Sequence, residues 1–275
     1  MAHLYKTTED TFMLVLFLIF FFGAIIGSFI NALVYRVYNQ KNWVSARSAC
    51  PNCLHFLGFF DLVPVFSFLF LKGRCRYCRK KISWEYLFSE IALGAVFVLF
   101  FLKYFGVIGW EELLFLPESY FIWFLLSDFL ICSVLLFLFL YDLKYYLILD
   151  KITLPFVLIF AALNYFLGYN IWDIMIGGVV GFLFFALQFW LSKGKWVGGG
   201  DARMGLLMGV ILGWKYLIMA LVFSYWLGAI VGISLILLKK KTMKSMVPFG
   251  TFLAVGTIIT MLWGEKIMEW YLFPI

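Results

Sequence analysis

Two aspartates stand at the ends of apolar runs: Asp142 follows the run 129–141, and Asp201 closes a run of three glycines, Gly198, Gly199 and Gly200. Ionisable groups at membrane depth or its edge are costly, which makes each a functional suspect. Three successive glycines cost conformational entropy and add nothing to packing, so a functional demand is the economical account of them. Two carboxyls sharing one proton can cut an amide: the anion takes a proton from water while the acid protonates the scissile carbonyl, and mutual repulsion splits their ionisation. Asp142 and Asp201 lie 59 positions apart and can meet only in a folded bundle. For Asp142 alone, a solvated boundary carboxylate is the competing reading. Asp150 precedes Thr153 and Pro155 at the start of the next apolar run, where capping a helix is the preferred reading and catalysis the lesser one. Asp128 and Asp173, near the opposite ends of spans, and Asp61 are weaker partners.

A second set of reactive side chains is Cys50, Cys53, Cys75 and Cys78, two C-x-x-C pairs with 21 residues between them. Two-residue spacing turns both sulfurs of a pair toward one tetrahedral ion, so the set reads as a structural zinc site. Two disulfides or four free thiols are the alternatives, and a reducing cytoplasmic side argues against the disulfides. A four-cysteine site is coordinatively closed, so its zinc holds a loop together rather than activating water. Arg74, Arg76, Arg79 and Lys80 offset the charge of four thiolates. Cys132, alone in an apolar run, reads as a small buried residue, and His3 and His55 read as incidental.

The elements that must position these groups are membrane helices. The 275 residues are 65% hydrophobic and 13% charged, far from soluble usage. The apolar runs are continuous, which predicts a helical bundle rather than a barrel. The expected fold is an all-α polytopic membrane protein with about eight transmembrane helices and a small zinc-binding cytoplasmic loop. Predicted spans are about 11–35, 86–105, 120–141, 152–167, 171–192, 204–213, 216–238 and 247–263. The run 204–213 is short for a crossing, and seven spans are the alternative. Glu9 and Asp10 ahead of the first run argue against a cleaved signal.

Between Arg36 and Lys81 stand nine Lys or Arg residues against one acid, Asp61, which marks the cytoplasmic side. Alternation then puts 142–151, 193–203 and 239–244 inside and the loop with Glu111, Glu112 and Glu118 outside. A formal charge of +7 is compatible with a nucleic-acid partner, but the cations sit at the ends of apolar runs, so none is expected. Small residues four apart (Gly23 and Gly27; Gly177 and Gly181; Gly205, Gly209 and Gly213; Gly228 and Gly232) read as helix packing in the lipid bilayer. The apolar stretch 54–71 carries Asp61 and Pro64 and cannot cross without breaking the topology, so it reads as interfacial or re-entrant.

Six pieces of sequence carry a family likeness: GSFINALVYR (27–36), CPNC (50–53), DLVPVFSFLFLKGRCRYCRKKIS (61–83), Glu90, YDLKYYLILDKIT (141–153) and GGGDARMG (198–205). By these the chain resembles, along nearly its whole length, the type IV prepilin peptidases, which are GxGD membrane aspartyl proteases. The resemblance implies Asp142 and Asp201 as the catalytic dyad, with Gly198 and Gly200 the glycines of the signature. It implies cleavage of the basic leader from type IV prepilins and type II secretion pseudopilins at the cytoplasmic face of the bacterial inner membrane. It also implies N-methylation of the new terminus from S-adenosylmethionine. That activity is linked to residues 1–105 with the cysteine loop 36–85, and Glu90 is its candidate residue; the peptidase domain is 106–275. Leu149 stands where the family usually has proline, and Arg203 where lysine is common.

Two readings compete. A non-catalytic zinc-clamped scaffold of a pilus or secretion machine accounts for the cysteines and the lack of a soluble catalytic domain. A transporter accounts for glycine-broken helices and intramembrane carboxylates, but no repeat links the two halves.

Overall fold

The computed structural model describes residues 2–42, 47–113, 118–239 and 247–272; the side chains of 2–9, 106–113 and 118–120 are outside the described part. Thus His3, Glu111, Glu112 and Glu118 as side chains, and Lys240, Lys241 and Lys244 altogether, lie outside the described residues. The elements are α1 (Ala2–Tyr38), α2 (Phe66–Phe70), α3 (Trp84–Leu113), α4 (Glu118–Tyr145), α5 (Asp150–Phe166), α6 (Ile171–Ser192), α7 (Gly199–Leu237) and α8 (Phe249–Leu272), with a 3-10 turn at Phe59–Asp61. Among the described residues the only β pairing is two isolated antiparallel bridges, Ala49 with Phe56 and Arg74 with Lys81. The chain is all-helical, as its continuous apolar runs require.

Among the described residues, six helical stretches are long and apolar enough to cross a membrane: Asp10–Tyr38, Trp84–Phe105, Phe121–Tyr145, Ile171–Ser192, Gly199–Leu237 and Phe249–Tyr271. The difference from eight lies in two places. Helix α5 has 17 residues, and α7, at 39, covers two of the expected runs. Gly213 breaks α7 with φ 69° and ψ 171°, a backbone region essentially closed to any residue with a Cβ. The break is a reversal. Tyr225 meets the ring of Phe249 at 5.0 Å and lies within electrostatic range of Asp201, whereas an unbroken helix would hold residues 201 and 225 about 36 Å apart. The short run 204–213 is therefore the first arm of a helical hairpin. The break frees carbonyls, and Asn164 of α5 meets two of them, donating Nδ2 to Val210 O at 2.9 Å and Ile211 O at 3.3 Å.

The chain divides into two compact units, Met1–Phe121 with Asp128–Phe137, and Ile122–Ser127 with Leu138–Ile275. In the first, α1 and α3 run antiparallel. A Cβ on Gly23 would sit 2.8 Å from Gly94 Cα, one on Gly27 would sit 2.9 Å from Ser89 O, and Phe12 meets Phe105 at 5.0 Å. Asn31 donates across this seam to Ser89 Oγ, and Phe97 stacks on Phe129 at 3.8 Å. In the second unit, a methyl group on Gly209 would collide with the Gly177 carbonyl, and one on Gly205 with that of Gly181. Glycine there lets α6 touch the first arm of α7 backbone to backbone. Gly228 and Gly232 do not follow the expectation. A Cβ at Gly228 would meet Phe252 at an ordinary 3.4 Å and one at Gly232 nothing, because that arm faces the rings of Phe249 and Phe252 rather than a backbone.

Candidate functional site

Helix α4 carries Asp142 in its last turn and ends at Tyr145; the next residue, Tyr146, has a left-handed φ of 56° and gives its N–H to the Asp142 carbonyl at 2.8 Å. The Asp142 side chain, 6% exposed, accepts the backbone N–H of Thr251 at 3.1 Å on Oδ2. Thr251 is in the first turn of α8, where N–H groups lack partners within the helix and the dipole is positive, so a distant carboxylate closes that end. Asp201, 7% exposed, is the third residue of α7, and its Oδ2 accepts the N–H of Gly198 at 2.8 Å. That is the return half of a capping box, with a glycine at the cap in place of the usual hydroxyl. Both carboxyls are thus buried at helix N-termini of the same unit, within electrostatic range of each other.

Ile148 fills the space beside them. A Cβ on Gly200 would lie 2.9 Å from Ile148 Cβ, and one on Gly250 would lie 3.0 Å from Ile148 Cδ1 and 2.9 Å from Asp142 Oδ2. Gly200 and Gly250 are therefore demanded by close approach, while a Cβ at Gly198 would meet only Asp201 Oδ2 at 3.6 Å. What Gly198 supplies is its N–H. Tyr225, whose hydroxyl donates to Gln188 at 3.1 Å, is a further neighbour of Asp201. Sequence reasoning missed Ile148, Tyr225, Gly250 and Thr251. A proline followed closely by glycine at 248–251, opening an apolar run, was the available signal for the last two.

The expectation that Asp150 caps α5 is corrected. Leu149 holds the cap position with no side-chain bond, and Asp150 sits one residue inside, where its carboxylate pairs with Arg203 Nη1 at 2.6 Å. The guanidinium two residues past Asp201 takes that carboxylate instead of the N–H groups of α5. The pair ties the start of α5 to the start of α7.

In the first unit the four cysteine sulfurs lie within 4.8 Å of one another. They come from two copies of one backbone motif. Cys50 N–H bonds His55 O and Leu54 N–H bonds Cys50 O; Cys75 N–H bonds Lys80 O and Arg79 N–H bonds Cys75 O. Leu54 and Arg79 share φ 59°, and each motif is closed by one of the two β bridges. The rings of His55 and Tyr77, one from each copy, meet at 3.6 Å with a tilt of 36°. The Cys50 and Cys78 sulfurs are 3.9 Å apart, against about 3.8 Å for the edge of a tetrahedron with Zn–S bonds of about 2.3 Å. The cluster can hold a metal, and the donor set fits zinc. Burial pushes the Cys50 thiol up, but N–H groups of Cys53 and Asn52 and neighbouring thiols bring it down to about 7. Of the cations expected to offset the thiolates, Arg76 is committed to Asp61 at 2.6 Å. Burial raises the Asp61 carboxyl, yet Gly58 N–H, Arg76 and Tyr77 together hold it below its ordinary range.

Glu90, 7% exposed in α3, accepts the N–H of Val65 at 2.7 Å and a bond from Ser28. Cys132 is fully buried, as expected.

Known proteins resemble the chain in two segments. Residues 21–104 match the bacterial peptidase A24 N-terminal domain, and residues 129–233 match the type IV leader peptidase family. The chain is 32% identical to the prepilin leader peptidase/N-methyltransferase of Aeromonas salmonicida (strain A449), covering 94% of each chain. It is 32% identical to the protein of that name from Aeromonas hydrophila, covering 93% of each. With that of Bacillus subtilis (strain 168) it shares 30%, over 93% of this chain and 97% of the relative. No solved structure matches the chain. With two aspartates closing helix ends in one unit, a four-cysteine cluster in the other, and such identity along nearly the full length of these relatives, the chain belongs to the type IV leader peptidase family.

Proposed function

We propose that this chain is a prepilin leader peptidase and N-methyltransferase of the bacterial inner membrane. It cuts the basic leader from type IV prepilins, and from pseudopilins of type II secretion, at the cytoplasmic face. The observation that carries this reading is the pairing of Asp142 and Asp201, buried and within electrostatic range though far apart in sequence. Their burial strengthens the interaction between them, and a proton shared by the two leaves one anion to draw a proton from water while the other protonates the scissile carbonyl. The N–H groups of Thr251 and Gly198 fix the two carboxylates. Gly200 and Gly250 allow Ile148 to sit beside them, and the backbone at 198–200 receives the substrate. The peptidase part is residues 106–275.

The cysteine cluster holds a structural zinc, and residues 1–105 carry methyl transfer with S-adenosylmethionine as donor. Glu90, whose carboxylate is taken by the N–H of Val65, serves that part by positioning. One experiment reads both activities: protein in native-like membranes is given prepilin with and without S-adenosylmethionine, and the product N-terminus is weighed. A shortened pilin without the donor and the same pilin one methyl heavier with it supports the proposal. Uncut prepilin in both samples counts against it.

A further inference from the structure

The stretch between the two cysteine motifs descends beside α1 far below the end of that helix. Val65 N–H reaches Glu90 Oε2 at 2.7 Å, and a Cβ on Gly27 would lie 3.0 Å from Glu90 Cα, so Val65 lies within a glutamate side chain's length of the height of Gly27. Gly27 precedes Arg36, the cation in the last turn of α1, by nine residues, roughly 13 Å along the axis at 1.5 Å per residue. Phe66, the next residue, meets Phe21 at 6.3 Å, and Phe21 is deeper still in the span. A hydrocarbon core is about 30 Å thick, so the apex at 64–66 reaches nearly to its middle.

The segment is built for that depth. Its return turns satisfy their own N–H groups, Ser67 to Val63 at 3.0 Å, Leu69 to Val65 at 3.0 Å and Gly73 to Phe68 at 2.8 Å. Val65 itself has φ 62°, a strained conformation for a β-branched residue, and its N–H is given to the buried carboxylate of Glu90. Non-helical backbone at such depth persists only where protein groups satisfy it. Residues 62–71 carry no charged side chain, and Asp61, just ahead of them, is paired with Arg76. Leu69 and Phe70 stand 56% and 82% exposed, a costly display in water and none in lipid.

We infer that residues 62–71 form a re-entrant membrane element, with Leu69 and Phe70 against acyl chains and Glu90 as the buried anchor of its apex. The inference rests on the membrane-spanning reading of α1 and α3 and not on the peptidase chemistry. It makes the metal-binding loop a partly immersed structure, fixed to the bilayer from below.

The test uses the full chain in phosphatidylethanolamine and phosphatidylglycerol vesicles, with p-benzoylphenylalanine placed singly at Leu69, Phe70, Phe17 or Tyr77. Phe17 is a span residue 53% exposed and Tyr77 belongs to a cysteine motif. After illumination, mass analysis is expected to find adducts on acyl carbons at Leu69, Phe70 and Phe17, at least tenfold above Tyr77. Adducts at Phe17 but none at Leu69 and Phe70 overturn the re-entrant element alone. Adducts at none of the three overturn the membrane reading together with it. Glu90→Leu is expected to lower the yield at Leu69 several-fold while that at Phe17 holds; an unchanged yield removes Glu90 from the proposal.

Discussion

Thr251 gives its backbone N–H to the carboxylate of Asp142 at 3.1 Å, across 109 positions of sequence. That bond makes the start of α8 part of the site. The same carboxylate lies beside Gly250, where an added Cβ would come within 2.9 Å of Oδ2. Asp142 is held by one helix while it ends another, so its position depends on tertiary structure rather than on its own segment.

Gly200 is limited by Ile148. Gly200→Val places a branched side chain against Ile148 Cβ, which an added Cβ would already approach to 2.9 Å. A displacement of about 1 Å at a reacting group costs on the order of a hundredfold in rate. Prepilin cleavage by Gly200→Val is expected to fall by about that factor, and Ile148→Ala in the same chain to recover part of it. Cleavage rates of the single and double variants check this.

Gly205 is a matter of folding rather than chemistry. Gly205→Leu forces α6 and α7 apart where a Cβ alone collides with the Gly181 carbonyl. Overpacking of this kind costs about 1–3 kcal/mol or more. The expected result is a thermal transition lowered by several degrees, whereas Gly232→Leu, in open space, leaves it unchanged.

The cysteine cluster predicts about one zinc per chain by elemental analysis. Cys75→Ser, which removes a buried ligand, is expected to lose it and to expose the loop to limited proteolysis. Cys132→Ser, outside the cluster, retains the metal. Full metal content in Cys75→Ser contradicts the site.

The Asp150 and Arg203 pair is more than a third exposed on both sides, so it contributes up to about 1 kcal/mol. Asp150→Ala is expected to cut prepilin within several-fold of the unaltered chain. This separates it from a catalytic carboxylate.

Much of the architecture was legible because lipid restricts the choice. Continuous apolar runs with basic flanks admit only helices, and the eight predicted runs map onto the helices once α5 and the two arms of α7 are counted separately. The reversal at Gly213 was not legible, since a glycine in an apolar run reads equally as a packing contact. The cysteine motif was legible because its donors are local to two turns. The role of Asp150 was misread, because capping depends on one residue of register and the pairing with Arg203 is a tertiary contact. Thr251, Gly250 and Ile148 escaped because each reaches the site through the folded bundle and offers no titrating group.

The most direct test is prepilin cleavage by Asp142→Asn and Asp201→Asn in otherwise unaltered chains. The amide oxygen of asparagine still accepts the N–H of Thr251 or of Gly198, so helix ends and zinc content should persist while the shared proton is lost. Each variant is expected to cut at a rate lower by roughly a thousandfold or more, the range removed with a general acid or base. Cleavage at the unaltered rate by either variant would contradict the account.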